Sequence, residues 1–382
     1  MKTCRYFKGD RPCKYYWVDR SWDCSKCSHH ISFKEKILLI KLDAVGDVVR
    51  STCIVKGLKK KYPNSQLTWL VAKESKVFID NNPFIDNIII YNEENVRILQ
   101  CQKFDIIINL DKDPKATSMM MLFDSEDKRG YGLSHEGHVI PLNSGSKYHY
   151  YICLDNWGTK QKNTKSYQKM IFDMAELEYD NETPELYLDN KLSEKFRNTF
   201  FEEKNIQSDS NIILLNTGCG PGLPEKKWTY DGFKNLIYLL SKDKKNVIIL
   251  TGGSSEIERN SKLFQESDIS DNFINTTNKY SLKEFTFLID LCDIIVTTDS
   301  MALQMAIAIK KRIVTFFGAG PSKETDMFGL GKAFVREELD CLNCHGQQAR
   351  KEFICPHDLS CMTLITADEV HLAVTEILEE MK

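Results

Sequence analysis

The sequence predicts an α/β protein of two domains, each built on an open, parallel sheet of the Rossmann-like kind. Short, continuously apolar runs alternate with helix-length segments, the pattern of βαβ units whose strands are covered on both faces. Turns rich in Gly, Asp and Thr close several of those runs. At 382 residues the chain exceeds one ordinary core and fits two domains of about 150–200 residues.

Residues 1–32 lack apolar periodicity and are dense in Cys, Lys, Arg and aromatic side chains, so they read as a cysteine-rich module held by something other than a core. A buried strand follows at 37–40, then the turn Asp43-Ala44-Val45-Gly46-Asp47 and a helix over about 48–62, ended by Pro63. Further strands are predicted at 67–72, 88–91 and 106–110, and a helix at 163–178. The stretch NETPELYLDN, near 181–190, reads as an interdomain linker, which sets the domains at 33–185 and 186–382. In the second half, strands are predicted at 212–216, 247–250, 294–297 and 313–317, helices at 230–242 and 301–309, and a final amphipathic helix at 369–381. There is no internal repeat and no low-complexity tract.

The charge balance, 51 basic against 54 acidic residues with a net of −3, argues against a duplex nucleic-acid binder. No stretch approaches the roughly 18 uninterrupted apolar residues of a membrane span. The polar, cysteine-bearing N-terminus does not read as a signal peptide, so a cytoplasmic location is expected. There the thirteen cysteines would stay reduced, and those at short regular spacings are better metal ligands than disulfides.

In open parallel sheets ligands bind beyond the carboxyl ends of the strands, which singles out four loops. In Lys41-Leu42-Asp43-Ala44-Val45-Gly46-Asp47, Asp47 falls at a helix N-terminus. It could cap that helix or act as a general base toward an attacking hydroxyl. In Thr217-Gly218-Cys219-Gly220-Pro221-Gly222 and the following Leu223-Pro224-Glu225-Lys226-Lys227-Trp228, glycines free backbone amides for phosphate oxygens and Lys226 and Lys227 add positive charge. No Gly-Lys-Ser/Thr closes this loop, so it is not a Walker loop. In Thr251-Gly252-Gly253-Ser254-Ser255-Glu256, Glu256 is either a ribose ligand or a solvated surface carboxylate. In Thr297-Thr298-Asp299-Ser300, Asp299 and Ser300 could cap the next helix or hold sugar hydroxyls or phosphate at its N-terminus.

These residues resemble glycosyltransferase family 9, the heptosyltransferases of lipopolysaccharide synthesis. The resemblance runs from about Lys36 to the C-terminus and is carried by ILLIKLDAVGDVVRST, KKKYPNSQLTWLVAKE, EKKWTYDGF, VIILTGGSSE, DIIVTTDSMALQMA and IVTFFGAG, in order and at fitting separations. It implies the GT-B fold, two Rossmann-like domains facing a cleft. It also implies an inverting transfer without a catalytic divalent metal, often from ADP-heptose. On the matching positions it makes Asp47 the base, Lys226 the phosphate-binding lysine and Asp299 the aspartate at the donor sugar; the strand-end loops themselves put Thr217, Gly218, Glu256 and Ser300 forward as further donor-binding residues. The acceptor would be a glycan, lipid or protein, and peripheral association with the inner membrane is compatible with it. In the fourth loop the family commonly has Gly and, a short step later, His; here Met301 and Gln304 stand there, leaving other nucleotide sugars open as donor.

Cys341, Cys344, Cys355 and Cys361 are spaced C-x2-C-x10-C-x5-C, which suits one tetrahedral Zn²⁺ or iron ion. The segment resembles a cysteine-rich stretch near the end of some family members, and in certain protein-heptosylating relatives a comparable cluster holds iron. Cys4, Cys13, Cys24 and Cys27 form a second set, C-x8-C-x10-C-x2-C, with His29 and His30 adjacent, in an extension the ordinary family core lacks. A short module without a core needs a staple, and a structural metal is the usual one inside a cell.

The reading that follows is a nucleotide-sugar glycosyltransferase. Its rivals are a non-catalytic nucleotide-sugar binder or scaffold built around the cysteine modules, and an NAD-dependent oxidoreductase, which the missing GxGxxG after the first strand disfavours.

Overall fold

The protein is described by a computed structural model covering residues 4–19, 24–154, 162–220, 223–267, 272–344 and 354–381. It divides into two compact units. The first comprises Met1–Ala44, Ser51–Tyr150 and Gln168–Glu182, and the second Val45–Arg50, Tyr151–Tyr167 and Thr183–Lys382.

The first unit is built on β1 (Lys36–Ile40), β2 (Gln66–Val71), β3 (Asn87–Ile90), β4 (Ile106–Asn109), β5 (Asp127–Leu133) and β6 (Val139–Pro141), in the order β3-β2-β1-β4-β5-β6. All neighbours are parallel except β5 and β6. Leu38, Ile40, Leu70, Phe104, Ile107 and Met120 form one buried cluster, because a sheet covered on both faces needs apolar side chains at every strand position. Between β1 and β4, where the strand order reverses, Lys41 and Asp111 form a buried ion pair. Burial foremost pushes the Asp111 pKa up, although Lys41 opposes it. The N-terminal segment is tied to this unit through Arg5, which lies 2.9 Å from Asp86 and donates to the Ser65 carbonyl at 2.8 Å.

The second unit holds β7 (Asn211–Asn216), β8 (Asn246–Thr251), β9 (Phe273–Asn275), β10 (Ile294–Thr298), β11 (Arg312–Phe317) and β12 (Gly331–Val335), in the order β12-β11-β10-β7-β8-β9, all parallel. Both sheets thus place their first and fourth strands side by side at the point of reversal, where open α/β sheets form their ligand crevice. The core of the second unit gathers Ile213, Leu215, Trp228, Phe233 and Phe316. Trp228 stacks on Phe316 at 4.7 Å between centroids and donates its indole N–H to the Ile365 carbonyl.

The helix predicted over 48–62 is two helices, Val45–Ser51 and Ile54–Lys61. Between them Val55 and Lys56 donate to the carbonyls of Thr52 and Cys53, tighter i→i+3 bonds that interrupt the regular ladder. The helix predicted over 163–178 is only Tyr167–Met174. Asn163 engages Lys165 through its side chain at one end, and Glu176 turns left-handed at φ 55° at the other, so both ends are fixed by local bonds. Helix Asn190–Lys204 follows the predicted linker and starts on Asp189, whose carboxylate accepts from the Lys191 and Leu192 amides. The last helix, Ala367–Glu380, opens with a Thr366–Glu369 capping box.

Candidate functional site

Four loops at the carboxyl ends of β7, β8, β10 and β11 meet in the second unit. A cavity of about 400 Å³ is lined by Asn216, Gly218, Cys219, Gly220 and Gly252 to Glu256 on one side. Asn278, Lys279, Tyr280 and Ser300 to Ala302 complete it. Of the residues singled out in the sequence, Gly218, Glu256 and Ser300 therefore line one space. Pro221 and Gly222 of the same loop lie outside the described residues.

Thr217 is fully buried and turns its hydroxyl away from that space, donating to Asn260 Oδ1 at 2.7 Å. It acts as an anchor for the glycine loop. Asn216, missed in the sequence, ties the loop down: its side-chain amide donates to the Gly218 carbonyl at 2.9 Å and to the Thr297 and Ser300 hydroxyls at 2.9 and 3.3 Å. An asparagine at a strand end carries no distinctive sequence signal.

Glu256 is buried rather than solvated. Its carboxylate accepts from the Gly253 amide and the Ser255 hydroxyl and pairs with Lys227 at 2.6 Å. Burial pushes its pKa up, but Lys227, Ser255 and the Gly253 amide outweigh that and leave it below the usual range. Lys227 is thus committed to Glu256.

Lys226 pairs with Asp299 instead, Nζ to Oδ2 at 2.6 Å, both mostly buried. Gly320, beyond β11, packs against both, and a Cβ there would overlap the Asp299 carboxylate. Ser300, next in sequence, begins helix Met301–Ala308 without a side-chain capping bond, and Ser300, Met301 and Ala302 at its start line the cavity. The first-turn amides of a helix have no partner within it, and those of this helix begin at the cavity wall, the polarity that suits a ligand's negative charge. The Cys219 thiol lines the same cavity, donates to the Leu223 carbonyl at 3.0 Å, and is pushed up to about 11 by burial, so it stays protonated.

Asp47 occupies the first turn of helix Val45–Ser51, half exposed, with Arg50 Nη2 at 2.9 Å. Gly46 faces the start of helix Met301–Ala308: a Cβ on it would meet Met301 Cα at 3.4 Å and Gln304 Cγ at 3.8 Å. Arg50, also missed in the sequence, stacks on the Tyr167 ring at 3.6 Å and interacts electrostatically with Glu324 and Asp299. Its only sequence signal is the i,i+3 spacing from Asp47.

Cys341, Cys344, Cys355 and Cys361 line a second cavity of about 450 Å³, with His357. Cys361 packs so tightly on Gly318 that a Cβ there would overlap its sulfur. Burial, then the three neighbouring thiols, push Cys361 up to about 12, and Cys344 is raised by burial and then by Cys341 and Cys355. In the N-terminal segment the carbonyls of Cys4, Cys13, Cys24 and Cys27 each accept from the amide three residues on, so each cysteine opens a tight turn. Among the described residues, no group of three or more His, Cys, Asp or Glu side chains stands at metal-holding geometry. No described helix is long and apolar enough to cross a membrane.

Two sheets of reversed strand order, with a glycine loop, a lysine and a helix N-terminus gathered at the strand ends of one, place this chain among α/β proteins whose ligands bind beyond the strand ends. The model of glycosyltransferase family 9 (heptosyltransferase) matches residues 95–354, and the chain belongs to that family. It is a glycosyltransferase that moves a sugar from a nucleotide-sugar donor. It is 21% identical over 302 residues to lipopolysaccharide heptosyltransferase 1 of Campylobacter coli, covering 75% of this chain and 85% of that one. Its fold is similar to that of the E. coli ADP-heptose lipopolysaccharide heptosyltransferase II (TM-score 0.65, 17% identity, 91% of this chain and 100% of that chain). It is also similar to that of the iron-containing dodecameric glycosyltransferase TibC of enterotoxigenic E. coli (TM-score 0.55, 10% identity, 92% and 77%).

Proposed function

We propose that the chain transfers a heptose from ADP-heptose to a hydroxyl of a glycan, lipid or protein acceptor, with inversion at the sugar and without a catalytic divalent metal. The observation that carries this reading is the Lys226–Asp299 pair beside the open start of helix Met301–Ala308, next to a cavity of about 400 Å³. That volume suits a nucleoside diphosphate, and an ammonium and helix amides are what its leaving charge requires. Gly218, Glu256 and Ser300 would surround the donor, and Thr217 would hold the glycine loop beneath it.

Asp47 takes the proton of the acceptor hydroxyl as that oxygen attacks the anomeric carbon. The bond from this carbon to the diphosphate oxygen breaks, and ADP departs with its charge facing Lys226. The proton stays on Asp47 until solvent removes it. Every group needed for this step is a side chain or backbone amide of the chain.

Two structural metal sites, of zinc or iron, belong to the same reading. Cys341, Cys344, Cys355 and Cys361 have the residue type for such an ion and line one cavity, and Cys361 and Cys344 are raised first by burial and then by their neighbouring thiols, which a bound cation would offset. That TibC is iron-containing agrees with iron at this set. Cys4, Cys13, Cys24 and Cys27 rest on their spacing and on the turn each one opens. The ions would brace the fold and take no part in transfer. A cytoplasmic location, where the thiols stay reduced, follows, with the protein peripheral to the inner membrane when its acceptor is a lipid.

The test is mass spectrometry of a lipopolysaccharide core oligosaccharide, and of the protein itself, after incubation with ADP-heptose, UDP-glucose or GDP-mannose, with metal analysis of the same sample. Addition of a heptose from ADP-heptose supports the donor assignment; addition only from another donor overturns it. Anaerobically purified protein free of zinc and iron would overturn the metal sites.

A further inference from the structure

We propose that Arg50 is a positioning residue for sugar transfer: its guanidinium holds the Asp47 carboxylate in place and ionised against the acidic groups around it. The inference rests on the reading of Asp47 as the base and adds a partner to it.

Arg50 and Asp47 lie one turn apart on helix Val45–Ser51, Nη2 to Oδ1 at 2.9 Å. The arginine side chain is 18% exposed and the carboxylate 38%, so the cation is held inward and the anion is the more accessible of the two. Tyr167, from helix Tyr167–Met174, lies against the guanidinium with 3.6 Å from its central carbon to the ring centroid. This contact fixes the plane of the fork and therefore the direction of its donors.

Among the described residues, the charged and titratable groups that act most strongly on the guanidinium come from four elements. They are Asp47 on its own helix, Tyr167, Glu324 on the short helix Ser322–Glu324, and Asp299 beyond β10. Burial works against the arginine's charge, but these neighbours, Asp47 first, outweigh it and hold its pKa above the ordinary value. The same argument applies in reverse to the carboxylates. Arg50 Nη2 stands 2.9 Å from the Asp47 carboxylate, and an opposite charge at that distance favours the ionised form of a carboxylate. A base must be unprotonated when the acceptor hydroxyl arrives, so removing the cation should be felt at Asp47 first. A lysine would keep the charge but lose both the planar fork and the ring stack.

The experiment measures ADP release from ADP-heptose with core oligosaccharide as acceptor, across pH, for wild type, Asp47→Asn, Arg50→Gln and Arg50→Lys. Calorimetric ADP binding and circular dichroism are recorded on each protein. Arg50→Gln is expected to lower kcat by about 10–100-fold and to move the acid limb of kcat/KM up by about one pH unit or more. Its KM for donor and its ADP affinity should stay near wild type. Arg50→Lys should restore the acid limb but only part of kcat. A folded Arg50→Gln protein with the wild-type acid limb overturns the proposal, because a purely structural arginine would leave that limb in place. Should Arg50→Gln not fold, Arg50→Lys decides: wild-type kcat overturns the proposal, and a reduced kcat at unchanged KM supports it. Full turnover by Asp47→Asn, or none by wild type, defeats the reading of the site itself. An inactive Asp47→Asn beside an unmoved limb in Arg50→Gln defeats only the role of Arg50.

Discussion

Lys226 Nζ lies 2.6 Å from Asp299 Oδ2, and Gly320 closes the pair from beneath with no room for a side chain. The lysine that would meet a diphosphate is therefore already held, and an arriving anion shares it with Asp299. In the proposed site Asp299 would set the ammonium's position and limit how strongly it binds product.

Removing Lys226 and removing Asp299 should then differ. Lys226→Ala is expected to weaken ADP binding by about 10–100-fold, the loss of one charge-assisted contact in a partly buried site. Asp299→Asn should leave ADP affinity within about threefold of wild type, since a competitor for the ammonium is gone, while turnover falls because the ammonium is no longer aimed. Calorimetry with ADP and a turnover assay on both proteins check the contrast.

Glu256 predicts a pH dependence of stability. Its folded pKa lies below the ordinary value of 4.5, so the unfolded chain binds its proton more readily than the folded one. The stabilisation is present above about pH 4.5 and disappears as pH falls through the lower folded pKa. Glu256→Gln should therefore destabilise the protein at neutral pH and show a flatter loss of melting temperature on acidification. Thermal melts of both proteins between pH 3 and 7 measure this.

The buried pair Lys41–Asp111 in the first unit offers a test of packing. Asp111→Ala strips the partner from a lysine that is 3% exposed and is expected to cost about 3–5 kcal/mol. The double change Lys41→Met with Asp111→Leu should cost clearly less, because no lone charge stays buried. Urea unfolding of the three proteins compares them.

Much of this architecture was legible in the sequence because parallel strands covered on both faces leave continuous apolar runs, as in Ile37–Ile40 and Ile212–Leu215. The strands missed are those without such runs. β5 carries Arg129, Gly130 and Gly132, β6 and β9 have three residues each, and β12 begins with exposed Gly331 and Lys332. The loops of the site were visible through glycines and charges, but the division of labour within them was not. Two adjacent lysines look equivalent in sequence, yet Lys226 faces Asp299 and Lys227 faces Glu256. A Glu after a glycine turn reads equally as ligand or surface residue, and only the burial of Glu256 and its bonds to Gly253, Ser255 and Lys227 exclude the surface role. Asn216 and Arg50 each combine a local partner, Gly218 and Asp47, with a distant one, Thr297 and Tyr167, and no local pattern records the distant half.

The central claim, that Asp47 is the group that accepts the acceptor's proton, is tested most directly by Asp47→Asn. The measurement is the rate of ADP release from ADP-heptose with an oligosaccharide acceptor, paired with ADP binding on the same protein. Turnover is expected to fall by about 10²–10⁴-fold with ADP affinity unchanged within about threefold. Turnover at the wild-type rate in a folded Asp47→Asn protein would contradict it.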